Sequence, residues 1–315
     1  MAARSTRILV LNYNGRALLA ECLPSVVEAA GRSPVPCPVT VVDNGSTDGS
    51  TGYLAEHWPG VEVVARPNRG LASFNEVLAG LDEPTALLLN NDVKLAPDAV
   101  GPLLAALARE PDALFAAPCC WSFDGLEYEG MRTLVRTRFG LVQGLCRVPG
   151  HERAVGRPDL TASAGPVLAV NRARFLALGG YDPIYFPGRI EDLDLGFRGW
   201  MAGWRGYYVP ESVAYHRGFG SFGPAFGAGG CDRLAARNTL IFAWKNLGGL
   251  RLAGHLAWLP ARLAHALALG RLGFGLALLG AIGRLGEVAK GRRALAVGGV
   301  GWVERQEAFF DRFRF

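Results

Sequence analysis

None of the six cysteines (Cys22, Cys37, Cys119, Cys120, Cys146 and Cys231) belongs to a CxxC pair, and His151 is the only histidine close to any of them. That spacing speaks against a zinc ribbon or a disulfide framework, so small core residues in a reducing compartment are expected. No GxGxxG follows the first apolar run, which ends in Asn12-Tyr13-Asn14-Gly15, and a Rossmann dinucleotide site is thereby set aside. No GxxxxGK[ST] occurs either, which removes an ordinary P-loop kinase or ATPase. The stretch Met1-Ala2-Ala3-Arg4-Ser5-Thr6-Arg7 lacks a hydrophobic signal region, and the expectation is a cytoplasmic catalytic part. A membrane span is missing as well. The charge-free stretch between Arg271 and Arg284 is 12 residues long, whereas crossing a bilayer core takes roughly 20.

What is present is a chain of 315 residues, half of them apolar, long enough for one large α/β domain with an appendage. The net charge of +5 hides an asymmetry. Residues 1–232 carry 20 Lys/Arg against 24 Asp/Glu, and residues 233–315 carry 13 against 4. A basic tail suits nucleic acid or an anionic membrane surface, and its apolar content argues for the membrane. Leu252, Leu256, Leu259, Leu263 and Leu267 recur at helical spacing there. Two readings stand: an amphipathic helix lying on a membrane, and a helical pair packed on the domain. The expectation is the first, with 1–232 as the catalytic domain and 233–315 as a helical, membrane-surface region.

Upstream, apolar runs of strand length alternate with helical periodicity. Strands are expected at 7–11, 39–42, 61–65, 85–89 and 113–117, with helices between them. Such βαβ alternation predicts a mostly parallel central sheet with helices on both faces. Residues 119–160 lose the alternation and read as a loop-rich insertion. Order returns with a strand near 165–170, a helix from 172, a helix starting near Glu191, a short strand at 206–209 and another ending at His216.

Three carboxylate clusters fall at expected strand or helix ends. The run Leu87-Leu88-Leu89-Asn90-Asn91-Asp92-Val93 reads as a buried strand delivering polar residues to a crevice, where open α/β sheets bind ligands. Taken alone it also fits an ordinary turn. One carboxylate with neighbouring amides can hold Mg²⁺ or Mn²⁺ when substrate phosphates supply other oxygens. Asp43, followed by Asn44-Gly45-Ser46-Thr47-Asp48, can accept hydrogen bonds from a ribose or a base edge, and equally forms a good turn. Glu191, Asp192 and Asp194 open a helix, which suits its dipole or supplies a general base. Asp194 and Arg198 are four apart and can pair along the helix, leaving Asp192 free.

Together these pieces resemble the family 2 glycosyltransferases of the GT-A fold. The matching stretches are Val10-Leu11-Asn12-Tyr13-Asn14, Val41-Val42-Asp43-Asn44-Gly45-Ser46-Thr47-Asp48-Gly49-Ser50, Asn68-Arg69-Gly70 with Asn75, and Leu88-Leu89-Asn90-Asn91-Asp92. They continue with Gly179-Gly180-Tyr181-Asp182, Glu191-Asp192-Leu193-Asp194-Leu195 with Arg198, Gly203-Trp204, Val209-Pro210 and His216, covering roughly 7–222. The resemblance implies a GT-A (Rossmann-like) sheet and an inverting transferase acting on a nucleotide diphosphate sugar. By motif position, Asp43 with Asn12, Asn44 and Asn68 would bind the nucleotide. Asp92 would take the metal-binding place of the DxD motif, with His216 as a further ligand of Mg²⁺ or Mn²⁺. Asp192 would be the catalytic base, flanked by Asn90, Asn91, Glu191, Asp194 and Arg198. Asn90 stands where the motif usually has its first acid.

The branch with an NxD and a basic, apolar tail looks like the rhamnosyltransferase-like enzymes of cell-surface polysaccharide synthesis. That likeness implies dTDP-rhamnose or a UDP-sugar as donor, a glycan or polyprenyl-linked acceptor, no nucleic acid, and a peripheral site at the inner face of the plasma membrane. Two alternatives remain: a sugar-1-phosphate nucleotidyltransferase, which would show a Gly-rich basic loop after the first strand, and a catalytically silent sugar-nucleotide or glycan-binding scaffold.

Overall fold

The computed structural model of the chain describes residues 5–218 and 222–315. Residues 1–4, part of the stretch read as lacking a signal region, lie outside them. The first half alternates strand and helix: β1 (Thr6–Asn12), α1 (Arg16–Gly31), β2 (Val39–Asp43), α2 (Ser50–His57), β3 (Glu62–Ala65), α3 (Ser73–Ala79), β4 (Thr85–Asn90), β5 (Val93–Leu95) and α4 (Val100–Arg109). Then come β6 (Ala113–Ser122), β7 (Tyr128–Gly130), β8 (Leu134–Arg138), β9 (Leu141–Leu145), β10 (Asp159–Leu160), β11 (Val167–Asn171) and α5 (Arg172–Ala177). The chain ends with α6 (Glu191–Met201), β12 (Arg205–His216), α7 (Phe222–Asn246), α8 (Gly249–Ala268), α9 (Leu272–Ile282), α10 (Leu285–Ala294) and α11 (Trp302–Arg312).

The main sheet runs β10-β12-β6-β11-β4-β1-β2-β3. Its β3-β2-β1-β4 end is parallel, and β11 enters antiparallel between β4 and β6. Every residue of β2 is buried, as are Leu87, Leu88 and Leu89 of β4. Continuous apolar runs are what strands covered on both faces require. Parallel register then aligns strand ends: Asn12 lies opposite Asp43, and Leu11 opposite Asn90. The polar residues that close three strands thus reach one edge together.

Two stretches differ from the sequence expectation. Residues 119–160 are not mainly loop: β6 runs on to Ser122, β7 pairs with it, and β8 and β9 form a separate hairpin. Short, partly exposed strands of this kind carry little alternation to read. Residues 205–216 form one strand instead of two, with the register shifting between Val209 and Val213, where Pro210 removes a ladder donor. Its far end puts His216 opposite Val93 and Ser122.

The C-terminal helices pack on the domain through one face. Phe242, Leu247, Trp302, Phe309, Phe310 and Phe313 form a buried cluster with Tyr185, Leu193, Phe197 and Met201. Burying each Phe contributes about 1.5–3 kcal/mol, so α7 and α11 are anchored elements. α8 and α9 keep an outward apolar face with Leu256, Trp258, Leu272, Leu276, Leu279 and Ile282 exposed. Among the described residues no single helix is long and apolar enough to cross a membrane; α9 and α10, bent by 58°, meet the length and composition together.

Candidate active site

Asn12, Asp43 and Asn44 are buried at the joint end of β1 and β2. Nδ2 of Asn12 donates to Asp43 Oδ1 at 3.0 Å, and Asn91 Nδ2 donates to Asn12 Oδ1 at 2.8 Å, forming a relay from the end of β4 across to β2. Asp43 also accepts from the Ser46 backbone at 3.0 Å and the Ser46 hydroxyl at 2.6 Å, which shapes the 44–46 loop. Gly15 makes room for the relay, because a Cβ there would sit 1.9 Å from Asn91 Nδ2. Asn44 Nδ2 reaches Gly70 O at 3.3 Å and Asn68 Oδ1 at 3.5 Å, so Asn44 and Asn68 are neighbours. Asn75 holds the Gly179–Tyr181 turn, donating to Tyr181 O at 2.8 Å and accepting from Tyr181 N at 2.9 Å.

β5 and β12 bring Asp92 beside His216. The imidazole Nε2 lies 3.5 Å from Asp92 Oδ2, and Nδ1 lies 2.8 Å from Glu129 Oε2. Burial disfavours the imidazolium, but hydrogen bonds to Asp92 and Glu129 outweigh it and push His216 up to about 9. Asp92 Oδ1 is buried with no hydrogen-bond partner among the described residues. A buried carboxylate oxygen left over, beside a ring nitrogen whose other face is held by a carboxylate, is a donor set that suits a divalent cation. Among the described residues no three His, Cys, Asp or Glu form a complete cage. That is compatible with a Mg²⁺-type site, which takes one or two protein ligands plus substrate phosphates.

α6 begins from a strained turn. Arg189 and Ile190 have φ of 81° and 78°, and neither is glycine. Such residues cost of order 1–3 kcal/mol each and cluster at functional sites. Glu191 and Asp192 follow at once and line a cavity of about 360 Å³ with Asn90, Asp92, Arg189 and His216. Burial pushes Asp192 up to about 6 against the opposing Leu193 N–H, which donates to Oδ1 at 2.9 Å. Burial, then the neighbouring Asp192 charge, pushes Glu191 up to about 8, and its Oε2 is buried without a hydrogen-bond partner among the described residues. Asp194 faces the other way. It accepts from Arg198 Nε at 2.6 Å, Lys245 Nζ at 2.8 Å, Asn246 Nδ2 at 2.7 Å and the Tyr185 hydroxyl at 2.8 Å.

One cavity therefore collects Asn90, Asp92, Glu191, Asp192 and His216. Asn12, Asp43, Asn44 and Asn68 form an adjoining cluster outside that lining, joined to it through Asn91, while Asp194 and Arg198 lie behind it in the core. A larger cavity of about 560 Å³, lined by Arg109, Tyr207 and Glu211 among others, contains none of the carboxylates at the strand ends. Sequence reasoning missed Glu129, Lys245, Asn246 and Asn238. Glu129 falls in the misread 119–160 stretch; the others flank the apolar run Leu240-Ile241-Phe242-Ala243-Trp244 of α7, which was the available signal.

A mixed sheet whose parallel end collects an amide-carboxylate cluster, a lone acidic strand end and a helix-borne carboxylate pair has the architecture of the GT-A fold. The sequence model of glycosyl transferase family 2 matches residues 7–153, a little under half of the chain. The N-acetylglucosaminyl-diphospho-decaprenol L-rhamnosyltransferase of Mycobacterium tuberculosis is 29% identical over 295 residues, covering 79% of this chain and 91% of its own length. These matches support an enzyme of sugar transfer over the nucleotidyltransferase alternative. The mannosyltransferase PcManGT from Pyrobaculum calidifontis, solved with GDP-Man and Mn²⁺, aligns with a TM-score of 0.53 at 18% identity over 100% of this chain and 89% of its own. GalNAc-T7, solved with UDP, GalNAc and Mn²⁺, aligns with a TM-score of 0.54 at 19% identity over 68% of this chain and 43% of its own, so this chain spans less than half of its length. At such identities these two structures establish the fold.

Proposed function

We propose that this glycosyltransferase moves a sugar from a nucleotide diphosphate donor to a hydroxyl of a polyprenyl-linked glycan acceptor, with inversion at the anomeric carbon. The observation that carries the reading is the shared cavity with Asp92 in one wall and Asp192 in another. Asp43, with Asn12, Asn44 and Asn68, holds the nucleotide; Asn44 Oδ1 is a buried acceptor without a hydrogen-bond partner among the described residues. Asp192 takes the acceptor's hydroxyl proton as its oxygen bonds to the anomeric carbon. The bond to the diphosphate breaks on the opposite face, and the nucleoside diphosphate leaves with the electron pair. Asp92 and His216 would hold Mg²⁺ or Mn²⁺, with Glu129 orienting the imidazole. That cation, when bound, offsets the charge growing on the departing diphosphate.

The mycobacterial relative's name supports rhamnose as the sugar and an N-acetylglucosaminyl-diphospho-polyprenol as acceptor; dTDP-rhamnose is the donor the sequence resemblance implies, with a UDP-sugar as the other donor class. A panel of nucleotide sugars tested by thermal unfolding distinguishes them. dTDP-rhamnose is expected to raise the melting temperature, more so with Mn²⁺ present, and to yield a rhamnosylated lipid product when the acceptor is added. No stabilisation by any nucleotide sugar would overturn the reading.

The division into a transferase domain over 1–232 and a membrane-facing helical region over 233–315 belongs to the same proposal, as does residence at the inner membrane surface. Its support is the outward face of α8 and α9, where Trp258, Leu272, Leu276 and Leu279 are exposed and Arg271, Lys290 and Arg293 lie nearby in sequence, also exposed. Basic residues near an anionic bilayer contribute about 1 kcal/mol each, and apolar side chains insert beside them. The protein is expected to co-sediment with vesicles containing phosphatidylglycerol and to release in high salt, whereas a Leu276→Glu, Leu279→Glu variant should bind at least tenfold more weakly, on the order of the loss from two buried leucines. Equal binding by the variant would exclude this face.

A further inference from the structure

Three backbone carbonyls converge on one side chain of the C-terminal region. Nδ2 of Asn238, fully buried on α7, donates to Tyr185 O at 2.7 Å, Gly188 O at 2.7 Å and Arg189 O at 2.9 Å. An amide nitrogen has two hydrogens, so three acceptors share them and the group is saturated. Its Oδ1 accepts from Arg237 Nε at 2.9 Å, and the same guanidinium donates to Phe186 O at 2.6 Å. One asparagine and its neighbour thus grip four carbonyls of the 185–189 segment.

That segment leads into the positive-φ pair Arg189 and Ile190. Backbone in this region relaxes unless its surroundings over-determine it. Glu191 and Asp192 are the first two residues of α6 beyond the pair, and the Asp192 carboxylate takes a backbone bond from its own neighbour Leu193. The direction of Asp192 into the cavity is therefore inherited from the 188–190 turn. We infer that Asn238 is a positioning residue for sugar transfer: by clamping the 185–189 carbonyls from the C-terminal region, it fixes the turn that aims Asp192 at the acceptor. Asn238 lies on α7, in the region 233–315, so on this inference the C-terminal region helps to position the base instead of only tethering the domain.

The inference rests on Asp192 being the base, and the test separates the two. Asn238→Ala and Asn238→Ser are compared with wild type and Asp192→Asn for kcat and donor KM with dTDP-rhamnose, for dTDP affinity by calorimetry, and for amide hydrogen exchange in peptides spanning 188–193. The expected result is a kcat at least 30-fold lower in Asn238→Ala, with donor KM and dTDP affinity within threefold of wild type and exchange in 188–193 at least tenfold faster. Asn238→Ser, which keeps one donor, should fall between. Unchanged exchange in 188–193 overturns the inference whatever the activity, as does a kcat within threefold of wild type. Loss of dTDP binding or of folding in both variants also overturns it, since the residue would then be a general structural one. Normal turnover by Asp192→Asn would instead strike the base assignment itself.

Discussion

Asp192→Asn is expected to lower the rate of sugar transfer by about 10² to 10⁴ while leaving folding and nucleotide binding intact, the span usual for removing one general base. The substitution keeps the shape of the side chain and its place at the start of α6 but cannot take a proton. A base is most useful when its pKa approaches the working pH, and burial carries Asp192 up to about 6. The sign of the pH dependence follows, because the active form is the deprotonated one. In wild type, kcat should rise with pH through about 6 and level off above it; in Asp192→Asn the residual rate should lose that limb. A pH profile of kcat for both proteins checks the two statements together. Near-normal turnover by the variant would sink the assignment.

The parts of this site that the sequence revealed share a physical origin. Asn12, Asp43 and Asp92 each end or follow a strand covered on both faces, so an apolar run marks where each begins and its polar end marks the crevice. Parallel register then brings those ends together with no further instruction. Asp192 was legible because α6 opens with three acids, of which Asp194 stands four residues from Arg198 and pairs with it, leaving Asp192 free. What stayed hidden depends on contacts remote in sequence. Glu129 reaches His216 across 87 residues through a short pairing of β7 with β6, and Asn238 reaches the 185–189 carbonyls across about 50. Bonds from a side chain to backbone carbonyls leave no trace in the sequence of the segment that is held. The positive φ of Arg189 and Ile190 was invisible too, since neither residue type announces that conformation.

The second large effect belongs to Asp194, only two residues from the base. At about 100° per residue, positions 192 and 194 point roughly 200° apart on α6, so one carboxylate opens on the cavity while the other faces α7. Asp194 is buried among Arg198 and Lys245, themselves buried, and both cations depend on it. Asp194→Asn leaves Lys245 with the partly exposed Asp182 at 2.5 Å, and Arg198 with the backbone carbonyls of Leu178 and Gly180. Removing one member of such a buried group costs about 3–5 kcal/mol. Burial alone would raise the Asp194 carboxyl, but the charges of Arg198 and Lys245 hold it well below the usual carboxylate range. A depressed folded pKa contributes stability that is present above the unfolded value near ~4 and is lost as pH falls below it toward the folded value. Urea unfolding at neutral pH should therefore show the full loss in Asp194→Asn, and below pH ~4 the gap between wild type and variant should narrow. Lys245→Met should cost less, because Asp194 keeps Arg198, Asn246 and the Tyr185 hydroxyl. A variant at 194 that folds as stably as wild type would mean that the C-terminal helices are held by their aromatic packing alone, with the buried charges contributing nothing net.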